Sequence, residues 1–413
     1  MKVLHIISQT PDFTGSGKYV LEMIDQSKKQ GHENFLVAGT ASNYSLPAHV
    51  LSPEHCRFIR FGQDLAFPIV GMSDVMPYSS TVCSHLTPEQ IELYKAAFRR
   101  EIRHVVEQFS PDIIHTNHLW MASAVTREAA PDIPMVTTCH GTCLRQHQLC
   151  PELGKSLIDS LSKIDRVIAL FQDQKVEIQK LLGLNASKVD IISGGFNQNN
   201  FYFEKKQTSP QTVQILYAGK INVSKGVPWL LKSLGKISNE RFHLHLVGGG
   251  SGSEMQSCLE LAESLGDKVT VHGILSHEKL GALMRESHLF VMPSFFEGLP
   301  LVLLEAMACG CRIITTDLPG CKQLFHHRHR TMVRMVELPE LMTIDQPYSE
   351  DEVVLEDMLS SLIVQVIKEV QQGSEPDMEY IHFITEPYTW EKIFAKVERV
   401  YQNAVTENKS FAL

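Results

Sequence analysis

Short runs rich in valine and isoleucine alternate with longer segments of helical period, and this alternation constrains the fold more than any other feature of the chain. Strands buried on both faces read as continuous apolar runs, so the pattern belongs to parallel sheets covered by helices. In the first half the strand candidates are VLHIIS, NFLVAG, RFIRF, DIIHTN, MVTTCH, RVIALF and VDIISGG, with helices such as residues 18–31, 88–109 and 172–182 between them. The alternation breaks at the polar stretch GGFNQNNFYFEKKQTSPQT, residues 194–212, and restarts with VQILYAG, FHLHLVGGG, KVTVHGI, LFVMPS and RIITTD. Two doubly wound α/β domains are expected, with ligands held at the carboxyl ends of their strands, on a common cleft if the domains face each other. The expected spans are 1–195 for the first domain, 196–385 for the second and 386–413 for a closing helix.

A length of 413 residues suits two cores. The composition, 43% hydrophobic and 21% charged, is that of a soluble globular enzyme, and the net charge of -9 offers no general attraction to nucleic acid. The opening MKVLHIIS is too short for a signal core and reads as a first strand. No run of eighteen apolar residues occurs, so a cytoplasmic protein is expected, with at most peripheral contact at the inner membrane face. The nine cysteines show no disulfide framework and read as reduced thiols. Cys139, Cys143 and Cys150, beside His140 and His147, lack a paired CxxC; metal ligation and buried thiols are both open readings.

Three loops can hold phosphate. In TPDFTGSGKYVLEM, Gly15 and Gly17 lead into a helix whose free amides and dipole favour an anion, although the spacing is not a dinucleotide fingerprint. The second glycine turn, LVGGGSGSE around Gly249, makes the same offer, and in YAGKINVSKG Lys220 and Lys225 flank a loop between strand and helix. A permissive turn and solvated lysines are the bland alternatives.

The stretch PSFFEGLPLVLLEAMACG sets Glu297 in a loop and Glu305 on the helix that follows, with Pro300 in its first turn and Gly310 ending it. The amides of Gly298 and Leu299 can face an anion. Carboxylates beside phosphate are suited to accepting hydrogen bonds from hydroxyls, and a pyrophosphate between two polyols presents hydroxyls at both ends. A nucleotide sugar has that form.

These segments, in this order, resemble the GT-B fold retaining glycosyltransferases of family 4. GKINVSKG resembles that family's basic donor loop, LVGGG its glycine turn, and Glu297 with Glu305 its E-x7-E pair. GSGKYVLEM, PDIIHTNH, TTCHGT and SGGFNQNNF match the first domain more loosely, and YTWEKIFAKVERVYQNAV resembles the helix that returns to it. The resemblance implies that Glu305 binds ribose hydroxyls, Glu297 the transferred sugar, and Lys220 with Lys225 the pyrophosphate. Gly15 lets its loop approach that pyrophosphate, and His140 touches the donor sugar or orients the acceptor. It further implies a front-face, retaining transfer from a nucleotide sugar, UDP-linked by family frequency, to an acceptor hydroxyl, catalysed by His140, Glu297 and Lys225.

No acidic DxD clamp stands at a strand end, so neither a metal nor another cofactor is expected. Thr14 and Gly15 replace the family's glycine doublet, and LPGCKQLFHHRHRTMVRM replaces a glutamate-bearing segment. The basic run 326–330 and the helix bearing Lys95, Arg99, Arg100 and Arg103 are open to contact with an anionic acceptor or lipid, or to plain solvation. Two other functions fit the same residues: a nucleotide-sugar sensor without turnover, and a nucleotide-sugar epimerase.

Overall fold

Each strand candidate becomes a strand, because the apolar runs alternate their side chains between two covered faces. The computed structural model describes residues 1–11, 14–73, 76, 78–325, 331–343 and 346–411; the basic run 326–330 lies outside them. The chain divides into two units, Met1–Gly194 with Trp390–Leu413, and Gly195–Thr389.

The first unit runs β1 (Lys2–Ile7), α1 (Gly15–Lys29), β2 (Glu33–Ala41), β3 (Cys56–Phe61), α2 (Pro88–Phe109), β4 (Ile113–Asn117), α3 (Met121–Ala129), β5 (Met135–Thr138), α4 (Thr142–Leu149), α5 (Pro151–Leu161), β6 (Arg166–Ala169), α6 (Gln172–Leu182) and β7 (Val189–Ile191). Its strands are parallel, in the order β3-β2-β1-β4-β5-β6-β7. On β1, Leu4 and Ile6 join a core with Phe98, Ile102 and Val125, while Val3 faces the opposite layer with Tyr19 and Met23. The long helix α2 is fixed at its start by a reciprocal cap: Gln90 N donates to Thr87 Oγ1 at 3.2 Å, and Thr87 N to Gln90 Oε1 at 2.9 Å.

The second unit runs β8 (Val213–Ala218), α7 (Val227–Gly235), β9 (Phe242–Val247), α8 (Gly252–Ser264), β10 (Val269–Gly273), α9 (His277–Glu286), β11 (Leu289–Met292), α10 (Leu301–Ala308), β12 (Arg312–Thr316), α11 (Pro319–Leu324), β13 (Val333–Val336), β14 (Leu341–Thr343), β15 (Gln346–Pro347), α12 (Glu352–Gln371) and α13 (Met378–Thr385). The main sheet is parallel, in the order β10-β9-β8-β11-β12-β13, and β14 pairs with β15 in a small antiparallel ribbon. The last helix, α14 (Trp390–Phe411), packs back into the first unit. Ile393, Val397, Val400, Tyr401 and Ala404 form one apolar stripe at helical spacing, buried against Val3, Ile113, Val136 and Ile168.

The polar stretch 194–212 behaves differently from a loose linker. Phe196 and Phe201 are buried, and the Phe203 ring lies so close to Gly310 that a Cβ there would come within 2.6 Å of it. Lys206 donates to the carbonyls of Met284, at 3.0 Å, and Ser287, capping the end of α9. Isolated aromatics among polar residues have no period, so sequence pattern alone gave no sign of this packing.

Candidate functional site

Open parallel sheets bind ligands where the strand order reverses, at the carboxyl ends. Those points are β8/β11 in the second unit and β1/β4 in the first.

At β8/β11, Asn222 builds the lysine loop: its Oδ1 accepts from Lys225 N at 3.0 Å and from Ser224 Oγ at 3.3 Å, side-chain bonds to nearby groups that close the turn. Gly226 then starts α7 at φ 70°, and a Cβ there would lie 2.0 Å from the Pro293 carbonyl oxygen. Only glycine permits this close approach. With Phe295 N donating to Ser224 O at 2.9 Å, the two loops are fastened together.

The consequence is a charge pair. Lys225 Nζ donates to Glu297 Oε1 at 2.8 Å and to Phe296 O at 3.0 Å, and Ser294 Oγ donates to the same Glu297 oxygen at 2.9 Å. Both side chains are mostly buried, 24% and 17% exposed, so the pair is less screened than a surface bridge. Glu305 lies half-buried on α10, which Pro300 caps and Gly310 (φ 79°) follows. Gly298 lies against the next helix: its oxygen would be 1.7 Å from a Cβ on Gly320. Leu299 is half-buried in the same loop.

Lys220 is exposed, with its carbonyl accepting from Tyr217 Oη at 2.6 Å. Its neighbour Ile221 donates its N–H to Gly249 O at 2.9 Å, so the lysine loop and the second glycine turn adjoin. Ile274, 84% exposed, lies beside Gly249, its Cδ1 3.1 Å from where a Cβ would project.

At β1/β4, α1 begins at Gly15 rather than Lys18, because Thr14 caps it and accepts from Gly17 N at 3.1 Å. That amide is therefore already engaged, whereas Gly15 has open space where a Cβ would stand. Gln9 Nε2 donates to Thr14 Oγ1 at 2.7 Å and Ser16 Oγ at 2.6 Å, and His118 Nε2 lies 3.0 Å from Ser16 Oγ.

His140 Nε2 donates to Asn117 Oδ1 at 2.9 Å, which leaves Nδ1 as the acceptor nitrogen. Its ring is 5.0 Å from both Tyr19 and His118. Burial, then the neighbouring His118 and His115, hold its pKa well below the ordinary histidine value, so the ring is neutral at pH 7. Burial opposes charge on Cys143, yet hydrogen bonds from Cys139 and His118 carry its pKa well below the usual thiol range. Among the described residues no group of three or more His, Cys, Asp or Glu is placed to hold a metal ion. Among the same residues no helix is long and apolar enough to cross a membrane.

The structure thus joins Lys225 to Glu297, and Gly249 to the Lys220 loop, within the second unit, while Gly15, Gly17 and His140 belong to the first. Asn222, Ser294 and Gly226 were missed in the sequence. The run Asn-x-Ser-Lys-Gly carries a general turn signal for the first, but the Ser294 and Gly226 contacts depend on β11 lying beside β8.

Residues 212–341 match the family described as Glycosyl transferases group 1, and residues 13–199 match Glycosyltransferase Family 4. A glycogen synthase of Mycobacterium tuberculosis is 23% identical over 335 residues, covering 78% of this chain and 79% of that protein. A D-inositol 3-phosphate glycosyltransferase of Rhodococcus erythropolis is 24% identical, covering 75% and 73%. Among solved structures, a sucrose-phosphate synthase from Thermosynechococcus elongatus superposes with a TM-score of 0.68 at 17% identity, covering 98% of this chain and 99% of that one. HepE of Anabaena in complex with UDP-glucose gives 0.65 at 16%, covering 98% and 100%.

Proposed function

The chain belongs to the GT-B glycosyltransferases of family 4, and from that premise we propose that it moves a sugar from a UDP-sugar to an acceptor hydroxyl with retention and without a metal. The observation that carries the donor assignment is the Lys225–Glu297 pair, 2.8 Å apart at the β8/β11 reversal. An ammonium has three donors, and Glu297 and Phe296 take two of those of Lys225. The third serves a phosphate oxygen, while Glu297 accepts from hydroxyls of the transferred sugar. Lys220 adds charge from the exposed rim, the Gly298 and Leu299 amides face the diphosphate, and Glu305 takes the ribose. The apolar face of Ile274 beside Gly249 suits the base.

Bond making falls to the substrates. The acceptor hydroxyl attacks the anomeric carbon on the face the diphosphate leaves, and its proton passes to a departing phosphate oxygen. The side chains supply position and charge stabilisation, which dominate where little covalent chemistry is left to the protein. Neutral His140, whose Nδ1 is the acceptor nitrogen, is suited to accept from a hydroxyl bound on the first unit. Support for uridine as the base comes from HepE, solved with UDP-glucose, and from a pneumococcal O-GlcNAc transferase solved with UDP and GlcNAc.

A thermal-shift panel of nucleotide sugars tests the reading. At 100 times its dissociation constant the true donor adds about 2.7 kcal/mol. Larger stabilisation by GDP- or ADP-sugars overturns the base assignment, an inverted anomer by NMR overturns retention, and activity lost to a chelator overturns metal independence.

A further inference from the structure

Resting on the transferase reading above, we propose that the acceptor is an uncharged polyhydroxyl compound, a sugar or polyol free of phosphate and carboxylate, bound along the carboxyl edge of the first unit's sheet. Four adjacent strands build that edge, β1, β4, β5 and β6. Gln9 follows β1, Asn117 and His118 close β4, His140 and Thr142 follow β5, and Gln174 lies in the first turn of α6 after β6.

These side chains are contiguous. Gln9 and His118 meet on Ser16, the His118 ring lies tilted 5.0 Å from that of His140, and Gln174 Nε2 lies 3.7 Å from where a Cβ would project from Gly141. Three of their polar atoms have no partner among the described residues: Gln9 Oε1, Thr142 Oγ1 and Gln174 Nε2. Yet Gln9 and Gln174 are only 2% and 1% exposed. Buried groups of this kind are normally satisfied, and each one left alone is costly.

The three orphans differ in kind: an acceptor, a hydroxyl and a donor. A polyol answers all of them, since every hydroxyl both gives and accepts. A phosphate only accepts, so it meets Gln9 Oε1 with repulsion and finds a neutral His140 rather than a cation. Among charged residues on the same helices, Lys18, Arg145 and Asp173 are exposed and Lys175 is partly so.

The test uses the full-length protein with whichever nucleotide sugar stabilises it most, and two acceptor sets. Glucose, myo-inositol and maltotriose form the neutral set; glucose 6-phosphate and myo-inositol 1-phosphate form the charged one. At least one neutral compound is expected to be glycosylated with a kcat/KM tenfold or more above every charged one. Gln174→Glu keeps the oxygen that accepts from Leu170 N at 2.6 Å but replaces the donor. It should raise the acceptor KM about tenfold, equivalent to about 1.4 kcal/mol, with a much smaller change in the donor KM. Preference for the charged set, or donor hydrolysis with neither set glycosylated, overturns the inference while leaving the donor reading intact. A protein that binds no nucleotide sugar overturns the donor reading instead.

Discussion

Replacing Gly226 with alanine tests how the two loops of the proposed donor site are held. At φ 70° the residue is left-handed, and there a side chain costs about 1–2 kcal/mol. Steric conflict adds to that. The new Cβ would stand 2.0 Å from Pro293 O and 2.8 Å from its carbonyl carbon, both backbone atoms that no rotamer change relieves. Restoring an ordinary contact separates the lysine loop from the β11 loop by about 1 Å, a misplacement that can cost about a hundredfold in rate. We expect a total loss of about 2–3 kcal/mol, a melting temperature lower by roughly 5–10 °C, and kcat/KM down about a hundredfold. Gly252→Ala is the control, since Gly252 has φ 75° with nothing within 4 Å of a Cβ, so it carries the dihedral cost without the clash. Differential scanning fluorimetry and donor titration by calorimetry read both variants. If Gly226→Ala and Gly252→Ala prove equally mild, and donor affinity is unchanged in both, the fastening role of the Gly226–Pro293 contact is refuted.

The division of labour proposed for the two glutamates predicts that Glu297→Ala slows transfer while free UDP still binds, whereas Glu305→Ala weakens free UDP about tenfold, as for one lost charged hydrogen bond; equal UDP affinity in wild type and both variants by calorimetry counts against it. Buried His5 has its pKa lowered to about 4 by burial, partly offset by its bond to Asn34. A base depressed below its unfolded value of about 6.5 contributes fully above that pH and loses its contribution as pH falls through 4, on the order of 3 kcal/mol here. His5→Gln should therefore flatten the stability profile between those pH values in urea titrations; an unchanged slope rejects it. Tyr401→Phe leaves buried His115 Nδ1 without its 2.6 Å partner and should cost about 1–3 kcal/mol by urea denaturation, with UDP affinity unaltered.

Residues whose position follows from local pattern were legible in advance. The strands were, and so was the placing of Glu297 in a loop and Glu305 on a helix, because Pro300 and Gly310 punctuate α10. The strand β13 was not: TMVRMVEL lies after a basic run and offers only a weak alternation. The start of α1 was misread by three residues, since glycines signal a turn unless a Thr cap is recognised ahead of them. The Lys225–Glu297 bond was hidden for a different reason. Each was assigned to a different part of one ligand, and their contact appears only when β11 lies beside β8. The neutral edge of Gln9, His118 and Gln174 drew no attention, because uncharged polar residues at strand ends look like ordinary loop chemistry.

The return of α14 has a bearing on how the chain is born. The first unit is synthesised first, yet its Val3, Ile113, Val136 and Ile168 layer, flanked by Tyr19 and Met23 of α1, is completed by residues 393–404. All 195 residues of Gly195–Thr389 must leave the ribosome in between, which takes about 10–40 s at ordinary translation rates. For that interval part of an apolar sheet face lacks its helix while the second unit, continuous in sequence, is free to complete itself. Nascent chains stalled before residue 390 should bind a hydrophobic dye and a chaperone such as a trigger-type holdase, and chains extended past residue 404 should release both.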